Sequence, residues 1–352
     1  MSLKGIINID KPQNYTSFDC VAILRRAAGT KKVGHTGTLD PMATGVLACC
    51  IGPATRILEY LEEDIKEYCG TLKLGIETDT CDIWGSATAL QDVQIMDGET
   101  AGSNDGQVAA DDPADGTRFV TVPEIREAFA AFEGDIEQIP PQYAAIKVDG
   151  RKLYEYAREG RHVEVPARPV TIHELEILDI REDEVDFRVV CSKGTYVRSL
   201  CRDIGAKLGT CGTMSALRRT RTGMCTIADS LPIEAVKEMD AAELEKYIVP
   251  MEKALAGYPR VDLDRQRGMD FLNGKTLADV PAPYKEEGLA EGAEADSPDG
   301  SDSTGCRVRV FGDGRFLGMA TYDPAERTVK PHKVLAPEIR EEWLGESANG
   351  RV

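Results

Sequence analysis

An α+β fold is predicted for this chain by two patterns in its sequence. Apolar residues alternate at the strand period in well-separated segments, as with Tyr68, Leu72, Leu74 and Ile76, and again with Val185, Phe187, Val189 and Cys191. Helical periods fall between such segments without the regular strand-helix-strand repeat of a doubly wound sheet. At 352 residues the chain exceeds one ordinary core, so two domains are expected, residues 1–250 and 251–345.

The first element is "GIINIDKP", a short strand. Ser17 opens a helix through Ala28 with Phe18, Val21 and Ala22 on one side, and Gly29 stops it. Lys31 and Lys32 follow, then "GHTGTLDPMATGVL", which sits in a loop ahead of the unbroken apolar run "VLACCI", a buried strand. "YCGTLKLGI" is the next strand. Pro123 begins a helix carrying Ile125, Ala128, Phe129 and Phe132 on one face, and Gly134 ends it. Pro140 and Pro141 mark a loop, and Asp149-Gly150 marks a turn before a short helix in "RKLYEYAREG". After the strand ending at Cys191, "SKGT" turns the chain into a helix with Val197, Leu200, Ile204 and Leu208 inward, stopped by Gly209. Beyond about Pro250, "CRVRVFGDGRFLGMATYD" alternates around an Asp313-Gly314 hairpin turn, and "VKPHKVL" completes a small β-rich set.

The net charge is −18, but its distribution matters more than its sum. Ile83–Thr117 and Glu286–Cys306 each hold seven acids and no Lys or Arg, leaving −4 for the rest of the chain. Their Gly, Ala and Ser content favours flexible surface loops. Arg188–Arg221 carries +7, so a basic face can coexist with an acidic chain. No apolar run approaches the ~18 residues of a membrane span, and the N-terminus lacks the character of a signal peptide, which points to the cytoplasm. The ten cysteines and four histidines are dispersed without zinc-ligand spacing, so reduced and mostly buried thiols are expected and no metal is called for.

No Gly-Lys-Ser/Thr phosphate loop or Gly-x-Ser-x-Gly elbow is present. Glu77, Asp79 and Asp82 have metal-like spacing but lack the other ligands and the glycine turn of a calcium loop. What remains is Asp40. A carboxylate is ionised at neutral pH without special tuning and can act directly as a nucleophile. Pro41 biases Asp40 toward extended backbone, while Gly34, Gly37 and Gly45 would let the main chain approach a flat substrate. On composition alone such a stretch is usually only a turn.

"GHTGTLDPMATGVL" resembles the catalytic motif of the tRNA pseudouridine-55 synthase family, the TruB type. "KEYCGTLKLGIETDTCD", "QIPPQYAAIKVDGRKLYEYAREG", "CSKGTYVRSLCRDIGAKLG" and "ALRRTRTG" are similar to family segments in the same order, over roughly residues 3–250. The tail resembles, less specifically, the small RNA-binding PUA domain. The resemblance implies a mixed, largely antiparallel catalytic sheet with flanking helices. It makes Asp40 the nucleophile that lets uracil detach, turn and rejoin its ribose through carbon 5. The product is an isomer, so no cofactor is implied.

By the same resemblance, Tyr68 is the aromatic that stacks on the flipped base and assists proton removal; alone it would read as sheet packing. Arg198 matches the arginine paired with the catalytic carboxylate, expected to hold it by a two-bond guanidinium fork. Tyr196 and Leu217 match the walls of the uracil pocket, and His35 a histidine filling space left in the RNA stack. A stacked uridine must be extruded, at a cost of a few kcal/mol offset by stacking and phosphate contacts. Lys31, Lys32, Arg151, Arg158, Arg202, Arg218, Arg219 and Arg221 are the candidates for those phosphate contacts, about half of them expected to be merely solvated.

The chain departs from the family at Thr213, where some relatives have a histidine that would touch RNA, and in the acidic Ile83–Thr117 segment, expected to point away from RNA. The implied partner is the T-arm of tRNA, with uridine 55 as target, no membrane and no obligatory protein partner. Two alternatives stay open: an RNA-binding protein without turnover, and a guide-RNA-dependent enzyme acting on ribosomal RNA. The joint presence of Asp40, Tyr68 and Arg198 argues against the first, and the lack of a basic low-complexity tail against the second.

Overall fold

A computed structural model describes residues 3–61, 65–98, 116–286 and 305–349. Strand β1 is Gly5–Lys11. Helix α1, Ser17–Ala27, starts where a capping box satisfies its first turn: the Thr16 hydroxyl accepts the Asp19 N–H while the Asp19 carboxylate accepts the Thr16 N–H. Strand β2 is Thr44–Ile51, buried along all but its first residue, and β3 is Lys66–Leu74. Then come helix α2 (Val122–Ala130), strands β4 (Gly134–Gln138), β5 (Arg168–Arg181) and β6 (Glu184–Cys191), helix α3 (Val197–Lys207) and strand β7 (Gly212–Thr222).

These strands form one mixed sheet in the order β1-β2-β7-β3-β6-β5-β4, with the short Leu231–Pro232 strand beside β1. Strands β2 and β7 run parallel, through Arg218 opposite Thr44 and Arg219 opposite Gly45; the other neighbours from β1 to β4 are antiparallel. Tyr68, Leu72 and Leu74 of β3 pack with Val185, Phe187 and Val189 of β6 and with Val197, Leu200 and Ile204 of α3. A fully buried leucine such as Leu72 or Leu200 contributes about 1.5–3 kcal/mol relative to exposure, so α3 is fixed on the sheet by its apolar stripe.

A second, four-stranded sheet comprises β8 (Arg260–Leu263), β9 (Cys306–Gly312), β10 (Arg315–Asp323) and β11 (Thr328–Val334). Asp313 (φ 51°) and Gly314 (φ 73°) both adopt the left-handed region, as a tight two-residue hairpin requires. Val308, Val310, Leu317 and Trp343 build its core. It is also joined to the first sheet: Met319 and Leu335 share a cluster with Ile6, Val46, Cys50 and Tyr60, and Arg56 Nη1 donates to the Val334 carbonyl at 2.6 Å.

The structure corrects several expectations. Ile76 does not continue β3, because Gly75 (φ 78°) breaks the strand and Ile76 starts a separate hairpin with Ala87–Leu90. Gly134 does not stop α2 directly; the helix ends at Ala130 and Gly134 opens β4. The acidic Ile83–Thr117 segment is not all loop, since Ala87–Leu90 and Val93–Met96 are strands, the latter paired with Arg118–Thr121. Its residues 99–115, and 287–304 of the other acidic stretch, lie outside the described residues. All ten cysteines are free thiols, seven buried and three half-buried. Among the described residues no helix is long and apolar enough to cross a membrane.

Candidate active site

The loop carrying Asp40 is held from beneath by α1 and the end of β1. The buried Ser17 hydroxyl accepts the Leu39 N–H at 2.8 Å and donates to the Leu39 carbonyl at 3.0 Å. Asn14 N–H donates to the Pro41 carbonyl at 2.9 Å. Lys11, fully buried, directs its ammonium to the carbonyls of Tyr15 (2.6 Å) and Pro12 (3.0 Å), and burial pushes its pKa down to about 8. With Leu39 and Met42 buried on either side, the Asp40 carboxylate is left 36% exposed, fixed at its base and open at its tip. Of the glycines in this motif, Gly45 serves the sheet rather than a substrate: a Cβ there would lie 2.1 Å from the Arg219 carbonyl oxygen.

Arg198 reaches the loop from the first turn of α3. Its Nε lies 3.0 Å from Asp40 Oδ2, so the expected pair forms. The expected fork does not, because the other two nitrogens are committed elsewhere. Nη1 donates to the Thr80 carbonyl and Nη2 to the Tyr143 carbonyl, each at 3.0 Å, and Nη1 also lies 3.6 Å from Asp82 Oδ2. Arg198 is thus a buried cation whose position is set by two main-chain oxygens, presenting one edge to Asp40.

Asp82, which in the sequence reads only as part of a metal-like spacing, faces this arginine. Burial raises its pKa, with Arg198 opposing. Asp79 instead accepts the Ser86 N–H at 2.8 Å, and among the described residues no cluster of His, Cys, Asp or Glu could hold a metal ion. The 138–143 loop is strapped along α3: Gln138 Oε1 accepts the Tyr196 N–H at 2.7 Å, and the Ile139 carbonyl accepts from Ser199 Oγ (2.8 Å) and Arg202 Nη2 (3.1 Å).

Between these elements lies a cavity of about 300 Å³, lined by Asp40, Tyr68, Tyr196, Arg198 and Leu217, the residues expected there, and by Lys66, Tyr143 and Arg219. Strand pairing brings Tyr68 and Leu217 together, since β7 sets Leu217 opposite Gly70 and Arg219 opposite Tyr68. Burial raises the Tyr68 phenol pKa, opposed by the neighbouring Arg219 guanidinium; Tyr196 is raised likewise, opposed by Arg198. The site joins one carboxylate open to the cavity, two buried cations, three tyrosines and an apolar wall. Enclosure of this kind strengthens electrostatic effects on a bound ring.

The residues expected to meet RNA scatter. His35 stands outside the cavity lining, with its Nδ1 accepting the Gly37 N–H at 3.3 Å and its pKa lowered by burial and by Arg219. Lys31, Lys32 and Arg158 are exposed. The other cations are paired: Arg151 with Glu159 (2.6 Å), Arg202 with Asp203 (2.8 Å), Arg218 with Asp10 (2.8 Å), and Arg221 with Glu67 at 4.0 Å. Arg219 is 1% exposed and so is not available as a surface phosphate contact. Thr213 is fully buried in β7 and offers no RNA surface either.

Residues 25–102 and 92–197 match the model of the TruB family pseudouridylate synthase N-terminal domain, and residues 198–256 that of the tRNA pseudouridylate synthase B C-terminal domain. The chain is similar to a protein called tRNA pseudouridine synthase B in Clostridium kluyveri, 42% identical over 79% of this chain and 86% of that one. A protein of the same name in Geobacillus thermodenitrificans is 43% identical over 81% and 88%. Another, in Clostridium perfringens strain 13, is 41% identical over 96% and 100%. Among solved structures, the fold is similar to that of a Cbf5-Nop10-Gar1 complex, with a TM-score of 0.66 at 24% identity, covering 96% of this chain and 86% of the other.

Proposed function

The chain belongs to the TruB family of pseudouridylate synthases, and from that premise we propose that it isomerises uridine 55 in the T-loop of tRNA to pseudouridine, using Asp40 as nucleophile. The observation that carries this reading is the meeting of Asp40 and Arg198 at 3.0 Å on the wall of a cavity of single-nucleotide size. A cavity this small does not admit a base-paired stem, so the target uridine enters extruded. Its ring then lies against Tyr68, Tyr196 and Leu217.

Asp40 is open to the cavity while its charge faces a buried guanidinium that cannot lose its proton, which fixes the direction of the carboxylate without covering it. The carboxylate forms a transient covalent bond that lets the bond between N1 and the ribose break, and that transient bond is broken again to return the free carboxylate. The uracil turns within the cavity, carbon 5 joins C1′, and the proton leaves carbon 5 while N1 gains one. Atoms balance with no cofactor. Tyr68 is proposed to stack on the uracil and to assist removal of the carbon-5 proton, and Lys31, Lys32 and Arg158 are the exposed cations proposed to meet the RNA backbone. Residues 1–250 are read as the catalytic unit and 251–345 as a PUA-like RNA-binding unit, working in the cytoplasm, where tRNA is the substrate.

The test uses T-arm transcripts with uridine or cytidine at position 55, incubated with the full chain and mapped for pseudouridine by carbodiimide labelling. Modification at position 55 alone, absent from the cytidine transcript, is the expected result. Tight binding of both transcripts with no modified base would favour an RNA-binding protein without turnover.

A further inference from the structure

Burying a guanidinium is costly unless its donors are satisfied by well-placed acceptors. Arg219 is among the largest fully buried side chains of the protein, and its acceptors are main-chain oxygens. Nε donates to the Val46 carbonyl at 2.7 Å, and Nη2 to the Gly37 carbonyl at 3.1 Å. Val46 belongs to β2, whereas Gly37 lies in the loop three residues before Asp40. Gly37 itself has φ 155°, and a Cβ on it would stand 3.5 Å from Arg219 Nη1. In the sheet, Arg219 pairs with Gly45 on one side and Tyr68 on the other. One residue therefore joins β7, β2, β3 and the catalytic loop, and its guanidinium lines the same cavity as Asp40 and Tyr68.

We propose that Arg219 is a positioning residue for the isomerisation: by tying Gly37 to Val46 it fixes the separation between the Asp40 carboxylate and the Tyr68 ring across the cavity. This rests on the reading of the site as a pseudouridine synthase and adds a determinant of its geometry. Two carbonyls on different segments are spanned by a planar fork of donors. Lysine offers its donors from a single point and cannot reproduce that span. The nearby cation also opposes the upward drift of the Tyr68 phenol pKa that burial causes, in keeping with a role at that side chain.

Arg219→Lys, close to arginine in volume, and Arg219→Gln, smaller but uncharged and still a hydrogen-bond donor, separate this role from a phosphate contact and from a purely structural one. Three readouts are taken: the single-turnover rate of pseudouridine formation at saturating T-arm RNA, the Kd of that RNA as a function of salt, and the thermal unfolding profile. The expected result is a saturated rate lower by on the order of 10²-fold in both variants, since small displacements of reacting groups cost that much. The Kd stays within about twofold and the salt slope is unchanged, because no phosphate contact is lost. In Arg219→Ala, added guanidinium restores part of the rate and methylammonium does not.

A raised Kd with a salt slope shallower by about one, at an unchanged saturated rate, would mark Arg219 as a phosphate contact and overturn the proposal. A rate loss that only matches the loss of folded protein, with no guanidinium rescue, overturns it as well. Native turnover with both variants equally fast removes Arg219 alone and leaves the reading of the site standing. Absence of turnover in the native protein removes that reading, and this assignment with it.

Discussion

Arg198 Nε lies 3.0 Å from Asp40 Oδ2, with the arginine side chain 6% exposed and the aspartate 36%. The asymmetry is what a reactive carboxylate needs. A fully exposed pair would be screened and weak, and a fully buried pair would be out of reach of substrate. The cation is set by its own hydrogen bonds to Thr80 and Tyr143, so it orients Asp40 without depending on it.

Replacing Arg198 should therefore damage both chemistry and stability. Arg198→Met leaves Asp82 buried without its opposing charge and is expected to lower stability by about 3–5 kcal/mol. Arg198→Lys should fold better but lose on the order of 10²-fold in single-turnover rate, because one ammonium cannot hold two carbonyls and still face Asp40. Urea unfolding and tritium release measure the two effects.

Asp82 gives a pH signature of known sign. Its pKa is raised by burial, so just above the usual aspartate value of about 3.9 the native state holds a proton that the unfolded chain has lost. The stability it supplies is full below that value and falls as pH rises through the raised pKa. Asp82→Asn should remove this decline, so that unfolding free energy rises more, or falls less, with increasing pH across the acid range than it does in the native protein.

Lys11 carries the opposite sign. Its pKa is lowered from 10.5 to about 8 by burial, so between those values the unfolded chain binds more protons than the native state. Stability from this group rises as pH climbs from about 8 to about 10.5, and is lost as pH falls back through 8. In Lys11→Met that rise should vanish from urea unfolding curves collected across the interval.

The exposed cations should separate from the paired ones in RNA binding. Lys31→Ala and Lys32→Ala are each expected to weaken T-arm binding and to lower the slope of log K against log salt by about one. Arg151→Ala and Arg218→Ala should change it less, since Glu159 and Asp10 already neutralise those arginines. Filter binding over a salt series makes the comparison.

The strands with one buried face, such as β3 and β6, are legible in the sequence because alternation records that face directly, and α3 because its apolar spacing is helical. Strand β7 is not. Its run Arg218-Arg219-Thr220-Arg221 reads as a cationic surface, yet it crosses the middle of the sheet with Arg219 inside and Arg218 against Asp10. Charge composition records neither side-chain direction nor the main-chain oxygens that a buried cation finds. Asp40, Tyr68, Arg198, Tyr196 and Leu217 meet at the cavity as the motif resemblance implies. Asp82, which faces Arg198, and Tyr143, which lines the cavity, are not legible in the sequence, because Asp82 looks like one acid in a cluster and Tyr143 supplies a carbonyl that every residue has.

Tritium release from carbon 5 of labelled uridine in a T-arm transcript, comparing the native chain with Asp40→Asn, probes the role of the carboxylate most directly. The expected result is release stoichiometric with uridine 55 from the native protein and none above background from the variant, with RNA affinity kept. Equal release from the two proteins would contradict it and take Asp40 out of the reaction.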